Sequence, residues 1–281
     1  KIFNWIGTIA QGQFKATSAS MFAVGMVALF TIGGISGVMH SSPPADLQQT
    51  DSYFVVAHFH YVLFGGSIMG IFCGLYYYFP KVFGRMLDET LGKTHFWLTF
   101  IAMNLTFFPM HFSGMLGMPR RIYTYDSGQG WELFNSMSSY GAYLLGLATL
   151  IFIYNFFKSK RSGRPAGPNP WGAGTLEWTI PSPPPPYNFA VLPTVTSRYP
   201  LWEGKQADIE SARINQQGGK TAEQLGIVLP YGTIKPLLAA LFMIIMFCGL
   251  IVGHWLIFTG ATLMVLSLYG WLTSPLEPEH H

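Results

Sequence analysis

Apolar residues run along this chain in blocks too long for the buried stripe of a surface helix, and the blocks are separated by short polar turns. A membrane-crossing helix needs roughly 20 mostly apolar residues. Blocks of about that length cover residues 18–38, 53–79, 94–116 and 131–157. A partial helix is expected over residues 1–10, and two shorter spans over 237–252 and 255–272, turning at Gly253-His254. Residues 159–234 break the pattern. They are polar and proline-rich, and the run PSPPPP at 181–186 favours an extended polyproline form. The expected fold is therefore an all-α polytopic membrane bundle. Residues 1–158 form its main helices, 159–234 a cytoplasmic linker lying over them, and 235–281 a terminal transmembrane hairpin and C-terminus that pack against other helices or a partner subunit. No internal repeat is present.

Lysine and arginine in short loops set the orientation. Lys158, Lys160, Arg161 and Arg164 follow the 131–157 block and mark the cytoplasmic side. Counting back, Lys81, Arg85 and Lys93 fall on that side, as does Lys15. Residues 40–52 hold two aspartates and no lysine or arginine, as an outer loop should. Arg120 and Arg121 break the rule, because residues 117–130 fall outside. Two adjacent arginines there call for a local anionic partner.

His58 and His60 are the candidate chemistry. Each helical residue turns by about 100°, so residues two apart point about 200° apart. Such a pair does not chelate one ion, as an i, i+4 pair can, but it can serve two sites on opposite faces of one helix. Neutral imidazole is a good axial ligand for haem iron. The same block offers Gly65, Gly66, Gly70 and Gly74 with Phe54, Phe59, Tyr61 and Phe64, a mixture suited to a flat macrocycle and to close helix approach. A lone histidine in a span is as often a hydrogen-bonding group between helices. Two within three residues favour function, since ionisable groups in lipid are costly. His58 lies about 10 Å below the outer boundary at ~1.5 Å per residue. Haem propionates pointing outward would then meet Arg120 and Arg121 through charge-assisted bonds. Taken alone, the arginines read as snorkelling into headgroups, and only beside the histidine pair is the propionate reading preferred; Lys1 by residue chemistry alone reads as a snorkelling lysine.

Composition agrees with a lipid-facing chain. Half of the 281 residues are hydrophobic, 16% are aromatic and 10% are charged, against about 25% charged in a soluble domain. The net charge of +3 carries no message about nucleic acid. Cys73 and Cys248 sit in apolar runs, with no metal-type spacing. Lys1 is not a methionine and apolar sequence begins at once, so the chain is expected to be the C-terminal part of a longer polypeptide.

Four segments carry a family resemblance: KIFNWIGT at the start, TDSYFVVAHFHYVLFGG at 50–66, NLTFFPMHFSGMLGMPRRIY at 104–123 and NPWGAGTLEW at 169–178. Here the chain resembles subunit I of the haem–copper oxidases, and within them the cytochrome c oxidases. It corresponds to the last five of that family's twelve helices, and the terminal hairpin is similar to the extra helices of some bacterial members. The resemblance implies that His58 is the proximal ligand of the high-spin haem and His60 a ligand of the low-spin haem. It implies that Arg120 and Arg121 hold propionates, that Lys1 belongs to a proton channel, and that Asp51 is a ligand of an outer magnesium site. Many relatives have histidine before that aspartate, where this chain has Thr50, so the magnesium site is altered or completed by other groups. The implied cofactors are two haems, of A type, with copper whose ligands lie outside this chain, and magnesium. The implied partners are oxidase subunits II and III and cytochrome c, in a bacterial inner membrane. The implied activity is reduction of oxygen to water coupled to proton translocation. A quinol oxidase shares these motifs. A nitric oxide reductase fits less well, given Lys1 and Tyr61, and a cofactor-free transporter or structural subunit is the alternative from another class.

Overall fold

The computed structural model describes residues 1–193, 195–203, 206–229 and 232–274. The chain divides into two compact units, Lys1–Pro184 with Leu201–Glu203, and Pro185–Pro200 with Gly204–His281. The first contains α1 (Ile2–Ala10), α2 (Ser18–His40), α3 (Pro43–Gln49), α4 (Tyr53–Val62), α5 (Met69–Phe83), α6 (Glu89–Phe107), α7 (Pro109–Met115) and α8 (Glu132–Ser162). A π-helical turn, Leu63–Ile68, joins α4 to α5 without a break. After α9 (Pro200–Glu203), the second unit contains α10 (Gln206–Gln217), α11 (Lys235–Val252) and α12 (His254–Leu272). Among the described residues there is no strand, only two isolated β-bridges.

Among the described residues, five helices are long and apolar enough to cross a membrane: Ser18–His40, Tyr53–Phe83, Glu132–Ser162, Lys235–Val252 and His254–Leu272. The block expected at 94–116 differs. It starts earlier, at Glu89, and breaks at Phe108 into α6 and α7. Pro109 is the physical cause: its nitrogen has no proton to donate and its ring crowds the preceding turn. Glu89, Lys93, His95 and Asn104 also make α6 less apolar than the five.

Packing follows small residues. The buried line of α2 is Phe22, Gly25, Leu29, Gly33 and Ser36, spaced by three or four. It meets α4, the π turn and α5, whose buried residues include Phe54, Ala57, Tyr61, Gly65, Met69 and Tyr76. On α8, Gly141, Ala148 and Asn155 recur every seven residues against α6.

The loops that the charge count assigns to one side meet at one end. Ser52 bridges Pro119, Tyr53 N donates to the Met118 carbonyl at 2.9 Å, and Arg120 N donates to the Asp51 carbonyl at 2.8 Å. At the other end Arg85 bridges Pro165, and Met86 N donates to the Arg164 carbonyl at 2.8 Å. Gly84, with φ 66°, ends α5 there in a left-handed turn. The segment after α8 folds back on α5. Lys81, counted above as a loop cation, is instead buried within α5. Its Nζ donates to the carbonyls of Ile180 at 2.7 Å and Pro168 at 3.0 Å and lies 5.0 Å from the Trp178 ring centroid. Trp171 Nε1 donates to the Tyr77 carbonyl at 2.9 Å, so the NPWGAGTLEW motif is a packed lining of this end.

In the second unit, α11 and α12 form the expected hairpin. Gly249 and Gly260 sit where an added Cβ would run into Ile257 and Met246, so these helices touch backbone to backbone. Lys235 Nζ donates to the Gly270 carbonyl at 2.7 Å and to Ser274 Oγ at 2.8 Å, closing the hairpin base. The polar stretch expected as linker includes the helix α10. Of the expected C-terminal segment, residues 275–281 lie outside the described residues.

Asp88 gives the first unit a measurable acid dependence. It caps α6, its Oδ1 accepting Thr90 N at 2.9 Å and Leu91 N at 3.1 Å, while Lys158 Nζ donates to its Oδ2 at 2.9 Å. The Lys158 ammonium, then the Leu91 and Thr90 amides, hold its carboxyl below the ordinary carboxylate pKa. A lowered native pKa means stability present above the unfolded pKa, near 4, and lost as pH falls through the native value. Asp88→Ala is expected to cost about 1–2 kcal/mol at neutral pH as a lost cap. Asp88→Asn keeps an acceptor and loses only the exposed pair, at most about 1 kcal/mol. Thermal unfolding as a function of pH checks this: the wild-type advantage over Asp88→Asn should vanish in acid.

Candidate functional site

α4 buries Phe54, Ala57 and Tyr61 as its central line. His58 and His60 fall on opposite shoulders of that line, both half-buried. His58 turns toward α2. Its Nδ1 lies 2.9 Å from the Gly33 carbonyl and 3.0 Å from Ser36 Oγ. A carbonyl only accepts, so Nδ1 carries the proton and donates, leaving the Nε2 lone pair available. Gly37 allows the close approach: a Cβ there would lie 2.9 Å from His58 Cε1.

His60 turns toward α6. Its Nδ1 donates to the Val56 carbonyl at 2.8 Å, one turn back on α4, and its ring stacks on Phe107 with centroids 4.1 Å apart and planes 10° apart. Again Nε2 is the free nitrogen. An imidazole held through one nitrogen on a carbonyl, with the other free, is the arrangement of metal-ligating histidines, because the outer bond fixes both tautomer and ring plane. The donor set fits axial ligation of haem iron, one on each side of the helix. The π turn follows within one turn of His60, where Gly65 and Gly66 sit against Leu29 and Phe30 of α2. Such turns are frequent at functional sites.

The outer loops place the other expected residues. Arg120 Nε and Nη2 donate to Asp51 Oδ1 at 2.9 and 2.6 Å. The anionic partner that Arg120 required is thus present in the chain, on a residue already tied to it by a backbone bond. Asp51 and Arg121 both take left-handed backbone, with φ 58° and 68°. Such non-glycine conformations cost on the order of 1–3 kcal/mol each and gather at functional sites. The Arg121 guanidinium forms no ion pair with described residues. Among the described residues no three His, Cys, Asp or Glu side chains form a set that could hold a metal ion. Lys1 stands exposed at the N-cap of α1, whose Trp5 packs on Phe30 of α2.

Two further histidines gather round His58 without having been singled out. His40, the last residue of α2, lies edge-on to the His58 ring at 5.0 Å and to Phe54 at 5.4 Å. Both of its ring nitrogens are buried without a hydrogen-bond partner, and Nδ1 is 3.9 Å from Asp46 Oδ1. His111 of α7 packs on Phe54 at 4.9 Å and Tyr61 at 5.6 Å. The Tyr61 hydroxyl donates to Asn104 Oδ1 at 2.7 Å. The signal for His111 lay in its motif, NLTFFPMHF; His40 had none.

Residues 1–144 match the protein family described as Cytochrome C and Quinol oxidase polypeptide I. The chain belongs to that family. It is 44% identical over 253 residues to the cytochrome c oxidase subunit 1 of Bacillus subtilis (strain 168), covering 89% of this chain and 40% of that protein. It is 49% identical to that of Bacillus sp. (strain PS3), over 73% of this chain and 34% of the relative. With that of Thermostichus vulcanus the identity is 48%, over 70% and 35%. The chain thus spans between a third and two-fifths of the length of these subunit I relatives. The bundle of α1–α8 is accordingly part of a haem–copper oxidase subunit I, and the helices beyond residue 144 continue past the family match.

Proposed function

We propose that this chain is the haem-bearing part of the catalytic subunit of a terminal oxidase. The complete enzyme would carry out four-electron reduction of oxygen to water with electrons from cytochrome c, coupled to proton translocation across a bacterial inner membrane. The supporting observation is the pair of imidazoles on α4, each held through Nδ1 on a carbonyl and each presenting a free Nε2 to a different side.

In this proposal His58 holds the high-spin haem and His60 the low-spin haem, both of A type. The iron supplies one-electron chemistry when bound. The chain's residues do the positioning. Gly33 and Ser36 fix the His58 ring, while Val56 and Phe107 fix that of His60. Arg121 and the remaining Arg120 nitrogen present positive charge to propionates at the outer end, while Asp51 keeps Arg120 in place. Asp51 has Oδ2 left for an outer magnesium ion, whose other ligands come from outside this chain, since Thr50 supplies no imidazole. Lys1 relays protons from the cytoplasmic side. Copper is held by residues outside this chain. Subunit II brings electrons in, and subunit III completes the assembly.

A reduced-minus-oxidised spectrum of the complete purified enzyme, with oxygen uptake on cytochrome c and on quinol, tests the proposal. Expected are two haem signals and uptake driven by cytochrome c. Uptake on quinol alone would make it a quinol oxidase, and a spectrum without haem bands would overturn the proposal.

A further inference from the structure

Tyr61 stands between the two candidate ligands. At about 100° per residue it projects about 60° round α4 from His58 and about 100° from His60. It is fully buried. Its hydroxyl donates to Asn104 Oδ1 of α6 at 2.7 Å, and among the described residues this is the only hydrogen bond between α4 and α6. The acceptor is itself held, because Asn104 Nδ2 donates to the Phe100 carbonyl one turn back at 2.8 Å. From α2, a Cβ at Gly33 would lie 3.0 Å from the Cβ and the carbonyl carbon of Tyr61. Tyr61 is therefore gripped at its backbone by α2 and at its hydroxyl by α6.

A roll of α4 about its own axis would reach both histidines at once. Side-chain tips lie roughly 5 Å from a helix axis, so about 10° of roll carries them about 1 Å. His58 is anchored off its own helix, with Nδ1 2.9 Å from the Gly33 carbonyl of α2, and about 1 Å more would end that bond. His60 is anchored within α4, through the Val56 carbonyl. Its ring would turn with the helix and slide over Phe107, which belongs to α6. Phe107 follows Asn104 by three residues, so the two share a face of α6. Apolar contact is non-directional and resists a small roll weakly. A hydrogen bond weakens steeply with distance and angle, and resists it well.

We propose that the Tyr61–Asn104 bond sets the roll of α4 and is one shared positioning element for both haem ligands. This rests on His58 and His60 being those ligands. The test uses the complete oxidase with Tyr61→Phe, Asn104→Leu or both, and thermal unfolding confirms that the variants fold. Resonance Raman of the reduced enzyme reads the iron–imidazole stretch of the high-spin haem. Electron paramagnetic resonance reads the g values of the low-spin haem, which follow the plane of its imidazole. In Tyr61→Phe the stretch should move to lower frequency, because a weakened Nδ1 bond leaves the His58 imidazole less basic. The low-spin g values should shift in the same sample. Asn104→Leu should do the same, and the double variant should add nothing further, since each change removes the same bond. Tyr76→Phe is the control. It also removes a buried tyrosine hydroxyl, one that bonds His95 Nδ1 at 3.1 Å, but about 22 Å farther along the chain's helical path at ~1.5 Å per residue. Wild-type values of both signals in Tyr61→Phe would overturn the proposal. So would movement of only one signal, or equal movement in Tyr76→Phe. A wild-type enzyme without two haem signals would overturn the assignment of His58 and His60 first, and the shared positioning with it.

Discussion

His58→Ala is expected to bring oxygen uptake to background while leaving part of the low-spin haem spectrum. His60→Ala is expected to remove the low-spin signal and leave the high-spin one. The expectation rests on separation. The two rings occupy opposite shoulders of α4, one against α2 and one against Phe107 of α6. They share no hydrogen-bond partner, so removing one leaves the other's anchor untouched. Optical spectra of the two variants, with oxygen uptake alongside, measure this. Normal turnover by His58→Ala, or loss of both haem signals together in a variant that still folds, would show that the rings do not serve separate centres.

Gly37→Val is expected to have the next largest effect, by displacing the His58 ring while leaving every titratable residue in the sequence. A Cβ at this position lies 2.9 Å from His58 Cε1 and 3.7 Å from both ring nitrogens. The ring would have to leave the Gly33 carbonyl, and overpacking of this kind costs about 1–3 kcal/mol. That corresponds to roughly a 5- to 150-fold loss of the ring in its present orientation. The high-spin haem signal should fall while the low-spin signal stays. Gly34→Val is the control, because a Cβ there meets nothing within 4 Å. If both valines behaved alike, the close approach of α2 would not be what orients His58.

What could be seen in the sequence depended on distance along the chain. The spans were legible because lipid demands a long apolar run whatever the tertiary contacts. The two-sided placement of His58 and His60 was legible because it follows from helical rotation alone. The break of the 94–116 block also had a local cause, Pro109, in plain view. Convergence was not legible. Arg120 and Asp51 are 69 residues apart, and only the pairing of the two outer loops makes them partners. Residue types alone therefore point Arg120 to haem propionates and not to Asp51. His40 reaches His58 because α2 lies close against α4, with Gly33 against Tyr61 and Gly37 against His58, a property of two helices together. Lys81 looked like a loop cation because its partners are backbone carbonyls of a segment that composition marked as linker. Carbonyls leave no trace in the residue types.

The direct measurement on α4 is a density map of the complete oxidase, sharp enough to show ring planes. Expected are two planar macrocycles, one with its iron on Nε2 of His58 at the α2 side and one on Nε2 of His60 at the α6 side. A single metal bonded by both rings, or either ring packed only against ordinary side chains, would contradict the two-centre helix.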